Sequence, residues 1–501
     1  MVLYLLFLLA FVIAVSRFLS TSSASKHRLP PGPKPWPIIG NIPHLGKQVH
    51  VSLQRFSQLY GPLISLRLGS QLVVIASSPA AAAEILRTHD RLLSARYVAT
   101  VVPYDTVELD RKAIVWASNC NNDRWKAFRA MFRNQMFSAR AIESQAAVRE
   151  RKVARMVEFL QGKLGEPVKI AELAFAAIFD SLSNLMFSRD CIGFESSSET
   201  ANRLKSLIWR MMELGTKTNF ADYFPVLKKL DPQGLRREMF RLCNELYSVW
   251  QPEVKERRER GRPGGAEDFL DIFFENGLDD DQIDWLSLGF LQELFSAGTD
   301  TSMATIEWAM AELIRNKGAM DELRDELKTK LSPPLDGKPA LIDESVVAQL
   351  PYLSAIVKET LRLHPPAPLL LPHRAPETCK VMNYTVPEGT HIVVNVWAIS
   401  RDPKVWEDDP MSFKPERFIG SSVDFRGQDF EFLPFSAGRR MCPGVSLATR
   451  QIPLVLAALV RSFDWSLSDG EDPTELDMSE KFGTTLEKER PLLLVPNRSS
   501  L

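Results

Sequence analysis

Asp281 to Arg315 carries one unbroken helical period, and at 1.5 Å per residue a helix of that length runs roughly 50 Å, enough to cross the whole protein. Three aspartates open it, as suits the positive end of a helix. Near its middle lies SAGTDTS, Ser296 to Ser302, where a small pair, a carboxylate and hydroxyls interrupt large apolar residues. Ala297 and Thr301 are four apart and share a face. Gly298 costs about 1 kcal/mol of helix propensity relative to alanine. Either a close helix crossing or something that must approach the backbone accounts for that cost.

The 501 residues, 45% apolar and 25% charged, have ordinary globular composition and enough length for one large core or two small ones. A net charge of −1 lacks the basic footprint of a nucleic-acid binder, and that class is set aside. Cys120, Cys191, Cys243, Cys379 and Cys442 are odd in number and far apart, with no CxxC or Cys/His spacing of a zinc site. A disulfide scaffold is disfavoured. The ordinary role of any one of them is a reduced, buried small hydrophobe, so Cys442 has to be marked out by its neighbours.

Met1 to Val15 is uninterrupted apolar sequence, and Phe18 and Leu19 extend it past Arg17 to about the ~20 residues that span a bilayer. A cleaved signal peptide is the rival reading, with Ser20 to Ser25 as its processing site. No charged side chain precedes the run, however, while Arg17, Lys26, Arg28 and Lys34 follow it. By the positive-inside rule that arrangement leaves the body of the protein in the cytosol. The expected organisation is a membrane anchor over residues 1–20, a polar then proline-rich hinge over 21–37, and one large domain over 38–501. The prolines of LPPGPKPWPIIGN make the hinge a stiff spacer.

Leu63 to Leu68 and Leu72 to Ile75, bounded by Gly-Pro and Gly-Ser, read as a hairpin. Helical spacing then dominates from Pro79 to Thr88, Asn122 to Phe137, Ala141 to Leu164, Glu172 to Phe187 and Glu199 to Glu213. Tyr97 to Trp116 has no clean period and reads as a long loop. Lys255 to Asp268 reads as a solvated surface loop. Tyr352 to His364 is an amphipathic helix carrying Glu359 and Arg362 three apart, on one face and able to pair. Short strands follow at Val381 to Val386 and His391 to Val396, then FKPERF at Phe413 to Phe418. Val445 to Phe463 is helical, and Arg490 to Val495 is a last strand.

Pro434 to Gly444 reads PFSAGRRMCPG. The pattern FxxGxRxCxG is met by Phe435, Gly438, Arg440, Cys442 and Gly444, with ExxR and PERF upstream and SAGTDTS before both. In this order the motifs resemble the cytochrome P-450 haem-thiolate monooxygenases over essentially the whole chain. The resemblance implies a mainly α fold with small β-sheets, the cytochrome P-450 fold, preceded by an N-terminal anchor helix. It implies haem b as cofactor, with Cys442 as the axial ligand of the iron, because cleavage of O–O needs an electron-donating thiolate. Backbone N–H groups near Gly438 and Gly444, and the helix that starts near Gly444, would stabilise that sulfur. Arg440, His373, Trp125 and Arg129 would hold the haem propionates. Phe435 belongs to the same haem-binding loop, and Glu359, Arg362 and Arg417 match a buried ion network behind the haem. Thr301 and Asp300 would deliver protons to the oxygen being reduced, and Ala297 and Gly298 would make room for it. Many relatives have glycine where this chain has Ser436.

No flavin or nicotinamide fingerprint accompanies these motifs, so electrons from NADPH must arrive through a reductase. The resemblance implies the membrane-bound reductase of the endoplasmic reticulum, with cytochrome b5 as a candidate second donor. Lys126, Arg129, Arg133 and Arg439 are candidates for a basic docking face. The segment PHRAPETCKVMNYTVPEGTHIVVNVWAI is similar to the plant microsomal branch that acts on benzylisoquinoline and tropane alkaloids. Hydroxylation of such an alkaloid is the leading expectation. Oxidative C–C or C–O phenol coupling, or rearrangement, is the first alternative, and terpenoid hydroxylation the second. The implied substrate pocket comprises Leu294, Ala297, Gly298, Ala367, Leu369, Leu370, Phe482 and Thr484. Asp105, Glu108 and Asp110 in the Tyr97 to Trp116 stretch are candidates to meet a protonated amine.

Overall fold

The computed structural model describes residues 28–194, 199–260, 268–275, 280–331 and 342–499. The anchor expected over residues 1–20, and the first part of the hinge, lie outside the described residues. Among the described residues one helix, Ile170–Phe187, is long and apolar enough to cross a membrane. It is buried in the core, with 16 of its side chains enclosed, so its apolar character serves packing.

The architecture is mainly α with small sheets. Helix α1 (Val49–Tyr60) leads into strands β1 (Leu63–Leu68) and β2 (Gln71–Ala76), which pair antiparallel from Leu63↔Ala76 to Leu68↔Gln71. Strand β3 (Ala95–Arg96), helix α2 (Asp123–Met131) and helix α3 (Ile170–Phe187) follow. The long helix α4 (Asp280–Arg315), helix α5 (Pro351–Leu363), strands β4 (His373–Arg374) and β5 (His391–Val394), and helix α6 (Val445–Ser462) come next. A last hairpin pairs β6 (Glu480–Lys481) with β7 (Glu487–Lys488). The principal sheet has the order β1-β2-β5-β4-β3, with β2 and β5 parallel and the other neighbours antiparallel.

The hydrophobic period of α4 and α3 makes them the centre of the main core, with α6 and α5 packed around α4. A second core lies between the principal sheet and the helical turns that follow β2. At the α3–α4 crossing, a Cβ added to Gly298 would stand 3.1 Å from the Leu182 Cδ1 atom. A close helix crossing therefore accounts for this glycine, whose missing side chain leaves room for Leu182.

Several segments differ from their sequence periods. Pro79 to Thr88 is an α-helix at Pro79–Ala83 that passes into a π-helical turn at Glu84–Thr88. Helix α2 likewise continues as a π turn, Phe132–Met136. Ala141 to Leu164 is two helices, Ala139–Ser144 and Ala146–Gln161, broken at Gln145. The expected surface loop at Lys255 is the end of a helix, Leu235–Arg260, that the sequence reading did not identify. Within Tyr97 to Trp116 lies a helix, Thr106–Lys112, closed by a capping box of Asp105 and Glu108. Val381 to Val386 is a hairpin of Cys379–Val381 with Tyr384–Val386.

Behind the cavity described below, α5 contributes a buried ion network. Arg362 is fully enclosed and meets both carboxylate oxygens of Glu359, each at 2.7 Å. It also donates to the carbonyls of Ser400 at 2.7 Å, Pro410 at 2.8 Å and Ser412 at 3.2 Å. Glu359 accepts the backbone N–H of Lys414 at 2.9 Å and lies 3.4 Å from the Arg417 Nε atom. Arg417 in turn donates to the carbonyls of Glu407, Asp408 and Asp409. One ion pair thus ties the C-terminal part of α5 to an irregular stretch of chain near residues 400–418 that has few ladder hydrogen bonds of its own. Glu359→Ala strands a buried guanidinium at a cost of about 3 to 5 kcal/mol. The variant is expected to accumulate little haem-loaded protein, read as the ratio of haem absorbance to protein; a ratio equal to that of the parent would refute this role.

Candidate active site

Cys442 stands on a tight loop between the 3-10 turn Gly438–Arg440 and the start of α6. Its N–H donates to the Phe435 carbonyl at 3.0 Å, which closes the loop. Two residues here take a left-handed backbone: Ser436 with φ 63° and Gly438 with φ 68°. At Gly438 a Cβ would lie 2.3 Å from the Leu86 carbonyl oxygen, so glycine is required. Ser436 has no such excuse. Its φ explains why glycine suits this position, and the serine carries the roughly 1 to 2 kcal/mol of a left-handed L-residue. Gly444 has an ordinary φ of −85° and serves instead through its N–H, which donates to the Cys442 sulfur.

The sulfur has exposed surface, but it borders a cavity enclosed by the protein. Burial therefore dominates and pushes the free thiol up, against the Gly444 N–H and the charge of Arg129. The cavity measures about 1130 Å³ and reaches from Cys442, Pro443 and Leu447 to the face of α4 that carries Ala297 and Thr301. That exceeds the roughly 300 to 1,000 Å³ of an ordinary small-molecule site, and it suits a site that takes a prosthetic group together with a substrate.

On one side of the cavity three guanidinium groups gather. Arg440 donates to the carbonyls of Ser94 at 2.8 Å, Ile114 at 3.0 Å and Ala117, and lies over the Trp125 ring at 5.0 Å. Arg129 donates to the Met441 carbonyl. Arg96 donates to the carbonyls of Leu371 at 2.6 Å and Val115 at 3.3 Å. Burial, and then the charge of Arg440, lowers Arg96 to about 9; burial lowers Arg129 and Arg440 as well. Among the described residues no carboxylate lies within ion-pair distance of any of the three. Next to them His373 gives one ring nitrogen, Nδ1, to the Leu93 carbonyl at 2.7 Å, while its buried Nε2 has no partner among the described residues. Burial, with Arg96 and Arg440, holds its pKa well below the usual imidazole range.

A soft sulfur donor at the base, a cationic edge that lacks anions, and an orphaned imidazole nitrogen fit an iron porphyrin with two propionates. Trp125 borders the cavity; its N–H is given to the Ile114 carbonyl at 3.0 Å, and its ring lies 5.0 Å from the Arg440 guanidinium. Arg96 was not identified from the sequence, because a lone arginine in a two-residue strand carries no signal until β3 is paired with β4.

Of the expected pocket residues, Leu294, Ala297, Gly298, Ala367, Leu370, Phe482 and Thr484 line the cavity. Leu369 does not. It packs against the cluster of Leu53, Ile64 and Ile75 beside the sheet, because the turn through Leu370, with φ 51°, points successive side chains apart. The three loop carboxylates are also turned to other work. Asp105 and Glu108 form the exposed capping box, and Asp110 accepts from the Ser118 hydroxyl and the Asn119 N–H at 2.9 Å. None of them borders the cavity. Of the basic residues considered for docking, Arg129 points inward, while Lys126 pairs with Asp123 at 2.9 Å and Arg439 with Asp90 at 3.1 Å.

Thr301 donates its hydroxyl to the Ala297 carbonyl at 2.7 Å, one turn back in α4. Asp300 is buried beside it and accepts a hydrogen bond from Thr485. Burial raises its carboxyl to about 7, helped by the charge of Glu487 and opposed by Thr485 and Lys481. Glu307, two turns on, is also raised to about 7 by burial, although it accepts the Leu492 N–H at 2.8 Å.

The tip of the last hairpin, Phe482 to Thr484, forms a wall of the cavity. Its two paired positions cannot hold it alone. Glu480 anchors it: the carboxylate meets His50 of α1 at 2.8 Å, the Trp397 N–H at 3.2 Å and Arg401 at 3.5 Å. Burial opposes this charge, but hydrogen bonds to His364 and His50, and then Arg401, hold the Glu480 carboxyl far below the usual range. His364 passes the connection to Glu312 of α4 at 2.7 Å and stacks on Trp308 at 4.0 Å. Trp308 donates to the Leu486 carbonyl at 3.0 Å.

The family model described as Cytochrome P450 matches residues 30–494, and the chain belongs to that family. It is a haem-thiolate monooxygenase that takes electrons from a redox partner and oxidises a small molecule. It is 49% identical over 93% of its length to the probable (S)-N-methylcoclaurine 3'-hydroxylase isozyme 2 of Coptis japonica, covering 93% of that protein. It is 48% identical over 98% of its length to (S)-N-methylcoclaurine 3'-hydroxylase isozyme 1 of Papaver somniferum, of which it covers 99%. To the corytuberine synthase of Coptis japonica it is 41% identical over 93% of its length, covering 94%.

The raised carboxyls give a stability signature. Asp300 has its proton in the folded chain up to about pH 7, while an unfolded aspartate loses it near pH 4. The stabilisation from this group is complete below the unfolded value and is lost as pH rises through the folded one. Three pH units of separation correspond to about 4 kcal/mol. The urea midpoint of the parent is expected to fall between pH 5 and pH 8, and Asp300→Asn to flatten part of that slope; an Asp300→Asn slope equal to the parent's would contradict the assignment.

Proposed function

We propose that this monooxygenase hydroxylates the aromatic ring of a benzylisoquinoline-type alkaloid. The observation that carries the reading is the similarity, over more than nine-tenths of the chain, to two (S)-N-methylcoclaurine 3'-hydroxylases. The cavity agrees in chemistry, since its lining is largely apolar, with Val101, Val102, Ile114, Leu294, Leu370 and Phe482 available to pack on fused aromatic rings. Electrons come from NADPH through a reductase at the endoplasmic reticulum membrane, where residues 1–20 form the anchor and the catalytic body faces the cytosol. Lys126, Arg133 and Arg439 contribute to the docking face, and cytochrome b5 is the second donor.

Cys442 would hold the haem iron through its sulfur, and Arg96, Arg129, Arg440 and His373 would hold the propionates. When bound, the haem supplies the reduction of O₂ that puts one oxygen atom into a C–H bond and releases the other as water. The chain's own part is to seat the substrate and move protons. Thr301 stands on the cavity face of α4, and its hydroxyl can exchange its bond to the Ala297 carbonyl for one to an acceptor in the cavity. Asp300, with a pKa of about 7, can give and regain a proton near neutral pH. The Gly444 N–H and Arg129 stabilise negative charge on the Cys442 sulfur.

The similarity to corytuberine synthase favours a second reading, oxidative phenol coupling on the same scaffold. Coupling removes hydrogen atoms without inserting oxygen, so a working Thr301 relay speaks for hydroxylation. Microsomes that contain this chain and a reductase, assayed against benzylisoquinolines, coupling substrates and terpenoids, are expected to release a ring-hydroxylated alkaloid. A coupled product or an oxidised terpenoid alone would replace the reading. Thr301→Ala is expected to lower product formed per NADPH consumed several-fold, as loss of a proton relay does; unchanged coupling would remove Thr301 from this role.

A further inference from the structure

The carboxylate of Glu293, one turn before Ala297 in α4, is enclosed and receives three consecutive backbone N–H groups. Ile114 donates at 2.9 Å, Val115 at 3.1 Å and Trp116 at 3.0 Å. Among the described residues no cation lies within 4 Å of it, so these donors are its partners. Burial raises its pKa against these three N–H groups and the charge of Arg440. A carboxylate that only closed a loop would leave the opposite side of those peptides free for ordinary turns. Here the carbonyls of the same stretch are spent on the cationic edge. The Ile114 carbonyl accepts from Trp125 and Arg440, each at 3.0 Å. The Val115 carbonyl accepts from Arg96 at 3.3 Å, and the Ala117 carbonyl from Arg440. The Ser118 carbonyl takes the Arg96 backbone N–H at 3.0 Å.

Residues 114–118 therefore form a polar crossbeam: their N–H groups rest on the long helix and their carbonyls carry two of the three guanidinium groups. We infer that Glu293 is a positioning residue for the haem edge, fixing Arg96 and Arg440 through the peptides of Ile114 to Ala117. The inference rests on the reading of those arginines as propionate partners. It adds that their geometry is set from the long helix, by a residue whose carboxylate is committed to three backbone N–H groups. Without Glu293 three amide donors lose their acceptor, the beam shifts, and each guanidinium group loses its partners on the beam while keeping one elsewhere, Arg440 on the Ser94 carbonyl and Arg96 on the Leu371 carbonyl.

The test uses the full-length holoprotein and measures haem transfer to excess apomyoglobin for Glu293→Gln, Arg96→Gln and the double variant. The amide keeps the size of Glu293 but replaces one acceptor oxygen with a donor. Each single variant is expected to lose haem about ten-fold faster than the parent, the scale of one charge-assisted hydrogen bond. The double variant is expected to lose it clearly more slowly than the product of the two single effects, because part of the Glu293 effect passes through the Arg96 guanidinium and the rest through Arg440. An unaltered rate for Arg96→Gln would overturn the propionate reading and this inference with it. A fast Arg96→Gln beside an unaltered Glu293→Gln, or effects that multiply in the double variant, would overturn the inference alone. Should Glu293→Gln fail to accumulate with haem, Glu293→Asp keeps the charge but is too short to span the three donors, and it carries the same cycle with the same expectations.

Discussion

The structure depends on one constraint: a single 36-residue helix runs through the centre of the body, and four of its buried carboxylates meet partners on four different neighbours. Glu293 takes the loop over the cavity, Asp300 takes Thr485, Glu307 takes the strand that begins near Leu492, and Glu312 takes His364. A buried carboxylate without a partner would cost several kcal/mol, so each of these contacts fixes a separate piece of chain relative to the helix. Apolar packing against α3 fixes where the rod lies, and the carboxylates fix what stands around it. The cavity is the space these attachments leave between the rod and the Cys442 loop.

Much of this was legible in the sequence where function is written in local spacing. The length of α4, the amphipathic period of α5, the hairpin of β1 and β2, and the loop motif at Cys442 each follow from residues close together in the chain. The departure of Ser436 from glycine is legible in the loop motif, and its φ of 63° is a conformation that glycine adopts without strain. What the sequence did not disclose depends on pairs far apart. Arg96 becomes a cavity residue only when β3 pairs with β4, and Glu293 acquires its partners only when a stretch some 180 residues earlier folds over it. The same limit explains the two misplacements. Asp105, Glu108 and Asp110 lie in a stretch that does border the cavity, but capping and local turns use carboxylates too, and those uses prevailed. Leu369 has the composition of a cavity residue, yet the left-handed backbone at its neighbour Leu370 directs it to the sheet. Gly298, open to two explanations in the sequence, is settled toward packing by a methyl group of Leu182.

Charge is handled differently on the two sides of the cavity. Toward the Cys442 loop, cations are assembled with their donors resting on carbonyls, and the balancing anions are left to the prosthetic group. At the base of the last hairpin, the Glu480 carboxylate is met by histidine, indole and arginine within the protein. The first arrangement is incomplete without its cofactor, whereas the second is complete as it stands. The charge of Glu480 is thus balanced within the protein, while the opposite edge leaves its cations for the prosthetic group to balance.

The division of labour in that hairpin also bears on how such an enzyme changes over generations. The strands at Glu480 and Lys488 are bolted to four separate helices and turns, so Gly483 and Thr484 between them form a short interchangeable tip on a fixed mount. Replacing the Thr484 side chain reshapes the substrate wall without asking any buried charge to find a new partner, whereas the Phe482 ring stacks on His50 at 5.3 Å and belongs to the mount. Lineages can thus explore new substrates at this tip by single substitutions while the apparatus that handles oxygen is left untouched.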